Sequence, residues 1–457
     1  MPWPTPEGVV IAAANAISFL VTLTFLVYVF MIVVPFLRRR PDPEGPVDAF
    51  EWHMFVPCRD EEVVIGRTIR MLRTTVPEAH VWVIDDDSDD DTSAIVQAAA
   101  DEDPFVHLVQ RRRPDARTGK GDALNAAYFQ LHAFLPDDVD RSRVIVCVVD
   151  ADGEVAENIL RQAASPNAFG DPEVGAAQVT VYMKNRDDRH PVPGAGRVRN
   201  TFGRFLIRMQ DIEFRGPIAA VQSLRGWTQT VGLGGNGQFT RLSVLDEISA
   251  QSDRPWHGSL LEDYELGIHV LLAGHKNRHL HDTYVSQEAL HDFLRFTVQR
   301  TRWAQGNMQC IRYVPEIARS TKFTNAGVFE ACYYLILPFF QVIANLAAVT
   351  LFIGAAIGLL SGAVSLPPAS LALLAVFYLA FGIGPFFIWG PLYRRYSEPQ
   401  AGFWTGILWG FGLWLYDYYV YLTGARAIYR ILRGRNGWAK TRRNGEINVS
   451  GPIAKDS

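Results

Sequence analysis

Two aspartates, Asp150 and Asp152, follow the run Val144-Ile145-Val146-Cys147-Val148-Val149 and precede Gly153. An apolar run with no polar break suits a strand covered on both faces. Side chains two apart on a strand project to the same side. In open α/β sheets, ligands gather at the carboxyl ends of strands. A carboxylate pair there can hold a divalent metal on a phosphate ligand. The same residues also make an ordinary acidic, solvated turn, and the motif alone does not choose. Other reactive groups recur along the chain. Pro57-Cys58-Arg59-Asp60-Glu61-Glu62 comes after the apolar Met54-Phe55-Val56, and Asp85-Asp86-Asp87-Ser88-Asp89-Asp90-Asp91-Thr92 after His80-Val81-Trp82-Val83-Ile84. Lys120 stands between Gly119 and Gly121, just before a helical pattern. A lysine there suits a phosphate group, or it is a plain loop lysine; the P-loop spacing is absent. Glu262, Asp263 and Glu265 open another helical pattern. Acids at that position complement the helix dipole, or one of them acts as a general base.

These groups need a frame. Met54–Val56, His80–Ile84, Val106–Val109 and Val144–Val149 read as strands, with helical patterns at Glu62–Leu72 and Thr92–Ala100 between them. Strands alternating with helices predict right-handed βαβ units and a mostly parallel sheet. The stretch Val231–Phe239 holds four glycines, which let backbone approach a ligand closely or form a flexible turn. From Glu288 to about Ile317 the pattern turns amphipathic. Leu290, Phe293, Leu294 and Val298 recur beside Arg295, Arg300 and Arg302, which suits a lipid interface. Gln299-Arg300-Thr301-Arg302-Trp303 lies within it; an Arg/Trp pair of this kind also anchors interfacial helices.

The 457 residues exceed one ordinary domain. Hydrophobic residues make up 48% and charged residues 20%, the average of a soluble enzyme and membrane segments. The net charge of -4 comes without a long basic patch, so no nucleic-acid module is expected. Cys58, Cys147, Cys310 and Cys332 lie far apart, as reduced thiols of a cytosolic domain do. Residues 9–36 are long and apolar enough to span a bilayer, without the shape of a cleavable signal. Arg38, Arg39 and Arg40 then put the residues beyond them in the cytoplasm. The expected organisation is an N-terminal transmembrane helix and linker (1–45), a cytosolic α/β domain (46–287), amphipathic interface helices (288–325), a C-terminal transmembrane region (326–425) and a basic cytosolic tail (426–457). Apolar stretches at about 328–360, 371–392 and 403–422 would leave the basic tail outside. One of them is therefore expected to be re-entrant, interfacial or double, and Asp417 makes the last suspect.

In this order, the motifs resemble the membrane-embedded family 2 glycosyltransferases, the group of cellulose, chitin, hyaluronan and poly-N-acetylglucosamine synthases. The resemblance runs from Val56 to Arg443. It rests on Val56–Glu62, Asp85–Ser88, Lys120–Asn125, Asp150–Asp152, Glu262-Asp263 and Gln299–Trp303. It implies an α/β GT-A fold, flanked by transmembrane helices in the cell membrane, and inverting, metal-dependent transfer of a hexose from UDP-glucose or UDP-N-acetylglucosamine. Pro57, Arg59, Glu61 and Asp86 would line the nucleotide pocket, and Lys120 would meet the diphosphate. Asp150 and Asp152 would meet the nucleotide and its Mg²⁺ or Mn²⁺. Asp263 matches the general base, with Glu262 beside it. Gln299, Arg302 and Trp303 match the residues closing over diphosphate and acceptor, and Trp227 or Trp256 offers a further flat surface. Trp438–Arg443 resembles a basic gating element. Asp87 stands where the family is usually small and reads as solvated; Cys58 reads as packing. Two acceptors fit. A growing β-linked polysaccharide is placed first. A membrane lipid, glucosylated once, is the alternative, favoured by spans too few for a monomer to enclose a channel, which also admits a homo-oligomer.

Overall fold

The computed structural model describes residues 6–362 and 367–435. Its centre is one eight-stranded sheet: β1 Glu51–Cys58, β2 His80–Asp86, β3 Val106–Arg111, β4 Val144–Val148, β5 Glu154–Val155, β6 Val174–Met183, β7 Gln238–Arg241 and β8 Lys276–Gln287, in the order β3-β2-β1-β4-β7-β6-β8-β5. The four strands expected from the sequence are there, mutually parallel, with Phe55 paired to both Trp82 and Val148. Beyond them the expectation of a mostly parallel sheet is corrected. β7 runs antiparallel to β4 and β6, and β5 antiparallel to β8, while β6 and β8 are parallel. The sheet is mixed.

Both faces of β1 are buried, as its unbroken apolar run requires. Trp52, Met54 and Val56 join one core with Ile65, Ile69 and Leu72 of the helix Ile65–Thr75. Phe55 joins the other with Leu124, Ala127 and Leu131 of the helix Lys120–Phe134. Strands facing helices on both sides end in loops at one edge, and those loops carry the acidic motifs.

Long helices flank the sheet in sequence. Pro6–Leu37 precedes it. Asn325–Ala344 and Pro368–Tyr396 are long and apolar enough to cross a membrane by length and composition; Thr22–Leu37 is apolar but shorter. The stretch expected at 403–422 is instead two helices, Phe403–Tyr416 and Tyr419–Leu432, broken at Asp417. Fourteen residues rise only about 21 Å, short of the ~30 Å hydrocarbon layer. The first of these helices packs on Trp389–Tyr396 through glycines: a Cβ on Gly390 would collide with the Gly410 backbone nitrogen. Phe293–Gln309 is a helix with Phe293, Leu294 and Val298 exposed, but Leu290, just before it, is buried. Trp438–Arg443 lies outside the described residues.

Candidate active site

The residues expected to bind nucleotide, metal and acceptor, and the expected base, all line one cavity of about 1170 Å³. Pro57, Arg59 and Glu61 come from the end of β1, and Asp86 from the end of β2. The loop after β1 is stitched to the acidic run after β2. Asp60 N donates to Ser88 Oγ (2.9 Å), Glu61 N to Thr92 Oγ1 (2.7 Å) and Asp89 N to Asp60 Oδ1 (2.8 Å). Cys58 is buried, its thiol 3.4 Å from the Ile84 carbonyl, a packing residue as expected.

The first half of the acidic run is paired rather than solvated, while Asp89 and Asp91 are exposed. Asp86 Oδ1 accepts from Arg117 N (3.0 Å) and from the Arg111 guanidinium. Asp87 is only 13% exposed, at φ +63°, between Arg113 (2.8 Å) and Arg117 (3.1 Å). The expectation for Asp87 is therefore corrected: the arginines between 111 and 117 neutralise it. The run Arg111-Arg112-Arg113 was the available signal, and its importance depends on β2 and β3 pairing side by side.

Asp150 and Asp152 lie past the end of β4, in a turn closed by Gly153 N on the Asp150 carbonyl (2.7 Å). The turn, rather than strand alternation, therefore sets their directions. Asp150 Oδ1 is 2.7 Å from Lys120 Nζ, at the first residue of its helix. Asp152 Oδ2 accepts from Glu288 N (3.1 Å). Asn236 Oδ1 takes the Asp150 N–H (3.1 Å), so the glycine-rich loop is tied to this turn. Gln178 holds the loop from behind, through Gly234 N (2.8 Å) and the Asn236 carbonyl (2.8 Å).

Asp263 sits in the first turn of the helix Glu262–Ala273, and its Oδ1 accepts from Tyr264 N (2.6 Å). Gly235 presses against it. At φ +78°, a Cβ there would stand 2.6 Å from Asp263 Oδ2 and 3.4 Å from Lys120 Nζ. The glycine is needed both for its backbone conformation and for that approach. Burial, with Glu262 adjacent, pushes the Asp263 carboxyl up to about 7, against the pull of Lys120. Burial likewise raises Glu262, with Lys120 opposing. Burial disfavours the charge on Lys120, but Asp150, Glu262 and Asp263 outweigh it and hold the ammonium charged. A carboxyl titrating near neutrality beside a permanent cation is a typical arrangement for moving a proton.

Gln299, Arg302 and Trp303 reach the cavity from the helix Phe293–Gln309. Burial lowers the Arg302 guanidinium from its ordinary value, with Glu262, Asp150 and Asp263 opposing it in favour of the charged form. Arg300 is structural: it makes a two-pronged pair with Glu213 (3.1 and 2.6 Å), and its guanidinium carbon lies 4.4 Å from the Trp303 ring centre. Neither further tryptophan contributes a surface. Trp256 is in the core, and Trp227 is 60% exposed away from the cavity lining.

The Asp150/Asp152 donor set fits Mg²⁺ or Mn²⁺. It offers hard carboxylate oxygens and only two protein groups, which suits an ion that completes its shell with water and substrate phosphate. The three-residue clusters able to ligate a metal among the described residues, His257/Glu265/His269 and Asp42/His281/Asp282, lie outside the cavity lining.

The family described as "Glycosyltransferase like family 2" matches residues 52–306. The beta-monoglucosyldiacylglycerol synthase of Synechocystis sp. is 29% identical over 260 residues, 56% of this chain and 47% of that protein. The probable glycosyltransferase YdaM of Bacillus subtilis is 25% identical over 295 residues, 63% of this chain and 62% of that protein. The chain thus spans between about half and two thirds of these relatives' lengths. The mannosyltransferase PcManGT of Pyrobaculum calidifontis, solved with GDP-Man and Mn²⁺, superposes with a TM-score of 0.56 at 16% identity, covering 92% of this chain and 98% of that one. That likeness shows the fold, GT-A-like with a mixed sheet. With more than half of its length matched and the motifs assembled in one cleft, the chain belongs to the glycosyltransferase-like family 2.

Proposed function

We propose that the protein transfers a hexose from a UDP-sugar to the hydroxyl of a membrane lipid, with inversion at the anomeric carbon. The observation that carries this reading is the shape of the cavity. From the acidic cleft it continues between Phe25, Val29 and Ile32 of the N-terminal helix and Pro338, Phe381 and Phe386 of the C-terminal ones. An apolar passage opening on a proton-accepting carboxylate suits an acyl-chain acceptor. Gln222, Gln341, Tyr378 and Tyr418 also line the cavity and can pair polar groups of the acceptor. The glycolipid synthase relative supports the same choice. The polysaccharide reading keeps the order of the motifs, with Gln299–Trp303 at its end, in its favour.

In this reading, Pro57, Arg59, Glu61 and Asp86 hold the nucleotide. Asp263 takes the proton of the acceptor hydroxyl as its oxygen bonds to the anomeric carbon. The bond from that carbon to the diphosphate breaks, and UDP leaves with the electron pair. Lys120 and Arg302 neutralise the departing charge. Asp150 and Asp152 would hold Mg²⁺ or Mn²⁺, which supplies further neutralisation of the diphosphate when bound. Trp303, braced by Arg300, offers an apolar face to the sugar or acceptor, beside Gln299 and Glu262. The Arg38–Arg40 cluster supports a cytoplasmic catalytic domain. Crossings by the N-terminal helix, Asn325–Leu360 and Pro368–Tyr396, with Phe403–Tyr416 at the interface, return the basic tail to the same side.

The test is to incubate the purified protein in lipid vesicles with labelled UDP-glucose and UDP-N-acetylglucosamine, then partition the product. Label in the organic phase as a β-hexosyl lipid is expected. Label in ethanol-insoluble polymer would overturn the lipid reading in favour of a polysaccharide synthase.

A further inference from the structure

Arg225, on the helix Ala219–Thr228, lines the same cavity on its apolar side and is 4% exposed. Its guanidinium is held along one edge. Nε donates to Glu330 Oε1 (2.9 Å), whose other oxygen accepts from Thr230 Oγ1 (2.7 Å). The guanidinium carbon stacks 4.0 Å from the Tyr334 ring centre. Nη1 lies against Gly232, where a Cβ would stand 2.9 Å away. Nη2 is buried and has no hydrogen-bond partner among the described residues. Native proteins pair almost all such donors, because leaving one unpaired forfeits its hydration.

We propose that Arg225 recognises the acceptor: the guanidinium N–H groups not paired with Glu330 donate to an ester carbonyl of an acylglycerol whose free hydroxyl is presented to Asp263. This rests on the lipid reading of the cavity. The placement supports it. Tyr264 follows Asp263 directly, and its ring lies against Gly232 and 5.7 Å from the Arg225 guanidinium carbon. Arg225 and Asp263 therefore line the one cavity, with the Tyr264 ring beside the guanidinium. The charge state supports it too. Glu330 already neutralises the guanidinium, so the remaining N–H favours a neutral acceptor oxygen over an anion. An ester carbonyl meets that requirement well; an ether oxygen, a poorer acceptor, meets it badly.

The experiment compares an ester-linked diacylglycerol with an ether-linked dialkylglycerol of equal chain length as acceptors for the full-length protein. The wild type should favour the ester by about tenfold or more in kcat/KM, the worth of a hydrogen bond from a charged donor. Arg225→Met combined with Glu330→Gln leaves no unpaired buried charge and should remove the preference while UDP affinity is retained. Arg225→Lys keeps the pairing with Glu330 but loses the fork, and should also remove it; it serves if the double variant does not fold. Equal use of both lipids by the wild type, or a preference that survives in either folded variant, would overturn the assignment of Arg225 alone. Absence of any lipid product from the wild type would overturn the lipid reading and this assignment with it.

Discussion

Gly235→Ala puts the contact between the glycine-rich loop and Asp263 under direct test. The residue sits at φ +78°, a region that costs an L-residue about 1–2 kcal/mol. The new Cβ would also stand 2.6 Å from Asp263 Oδ2. Carbon–oxygen contacts settle near ~3.3 Å, so the carboxylate must retreat by roughly 0.7 Å. A displacement of that order in a reacting group costs on the order of 10²-fold in rate. The variant should therefore lose about 10²-fold in transfer and about 1–2 kcal/mol in stability, while UDP affinity stays near that of the wild type. Gly234→Ala is the comparison. Its Cβ would meet Gln178 at 3.7 Å, an ordinary contact, and its loss of rate should be far smaller. Initial rates of labelled hexose transfer, thermal unfolding and UDP titration would be measured on both. Wild-type turnover by Gly235→Ala, or equal losses in the two variants, would refute the reasoning.

The same geometry predicts three further outcomes. Asp152→Ala should weaken UDP binding in the presence of Mg²⁺ or Mn²⁺ and leave the weaker, metal-free binding largely intact; unchanged metal dependence in a UDP titration would break the assignment. Asp263 titrates near 7 and must be ionised to accept a proton, so activity should fall below that pH by about tenfold per unit and level off above it. Glu262 helps to raise Asp263, so Glu262→Gln should carry the acid limb of the pH–rate profile to lower pH, and a limb that stays or moves upward would contradict this.

The part of the fold legible in the sequence is the part whose burial is apolar. β1, β2 and β4 are covered on both faces, and their runs of valine, isoleucine and aromatic residues announce it. β6 and β8 escape such a reading because polar residues do part of their packing. In β6, Gln178 is buried as the clamp of the glycine-rich loop. In β8, Asn277 is buried on the carbonyls of Val231 and Gly267 (2.9 and 3.0 Å). A buried side chain that pairs with distant backbone carries no periodic signal. The same holds for the site. Its carboxylates and Lys120 stand at strand ends and helix starts, where their types are informative, and Arg302 stands in an amphipathic helical run. Arg225, Gln178 and Asn236 act through partners remote in sequence, so only the assembled cleft reveals them. The stretch at 403–422 is legible in part: Asp417 marks it as suspect in the sequence, and the helix Phe403–Tyr416 ends there.

Asp263→Asn, followed for UDP affinity and hexose transfer on the same preparation, tests the proposed chemistry most directly. The substitution keeps the shape of the side chain and removes its ability to take a proton. The account predicts UDP binding close to that of the wild type and transfer reduced by about 10²–10⁴-fold or beyond detection. Turnover near the wild-type rate would contradict it and remove Asp263 as the base.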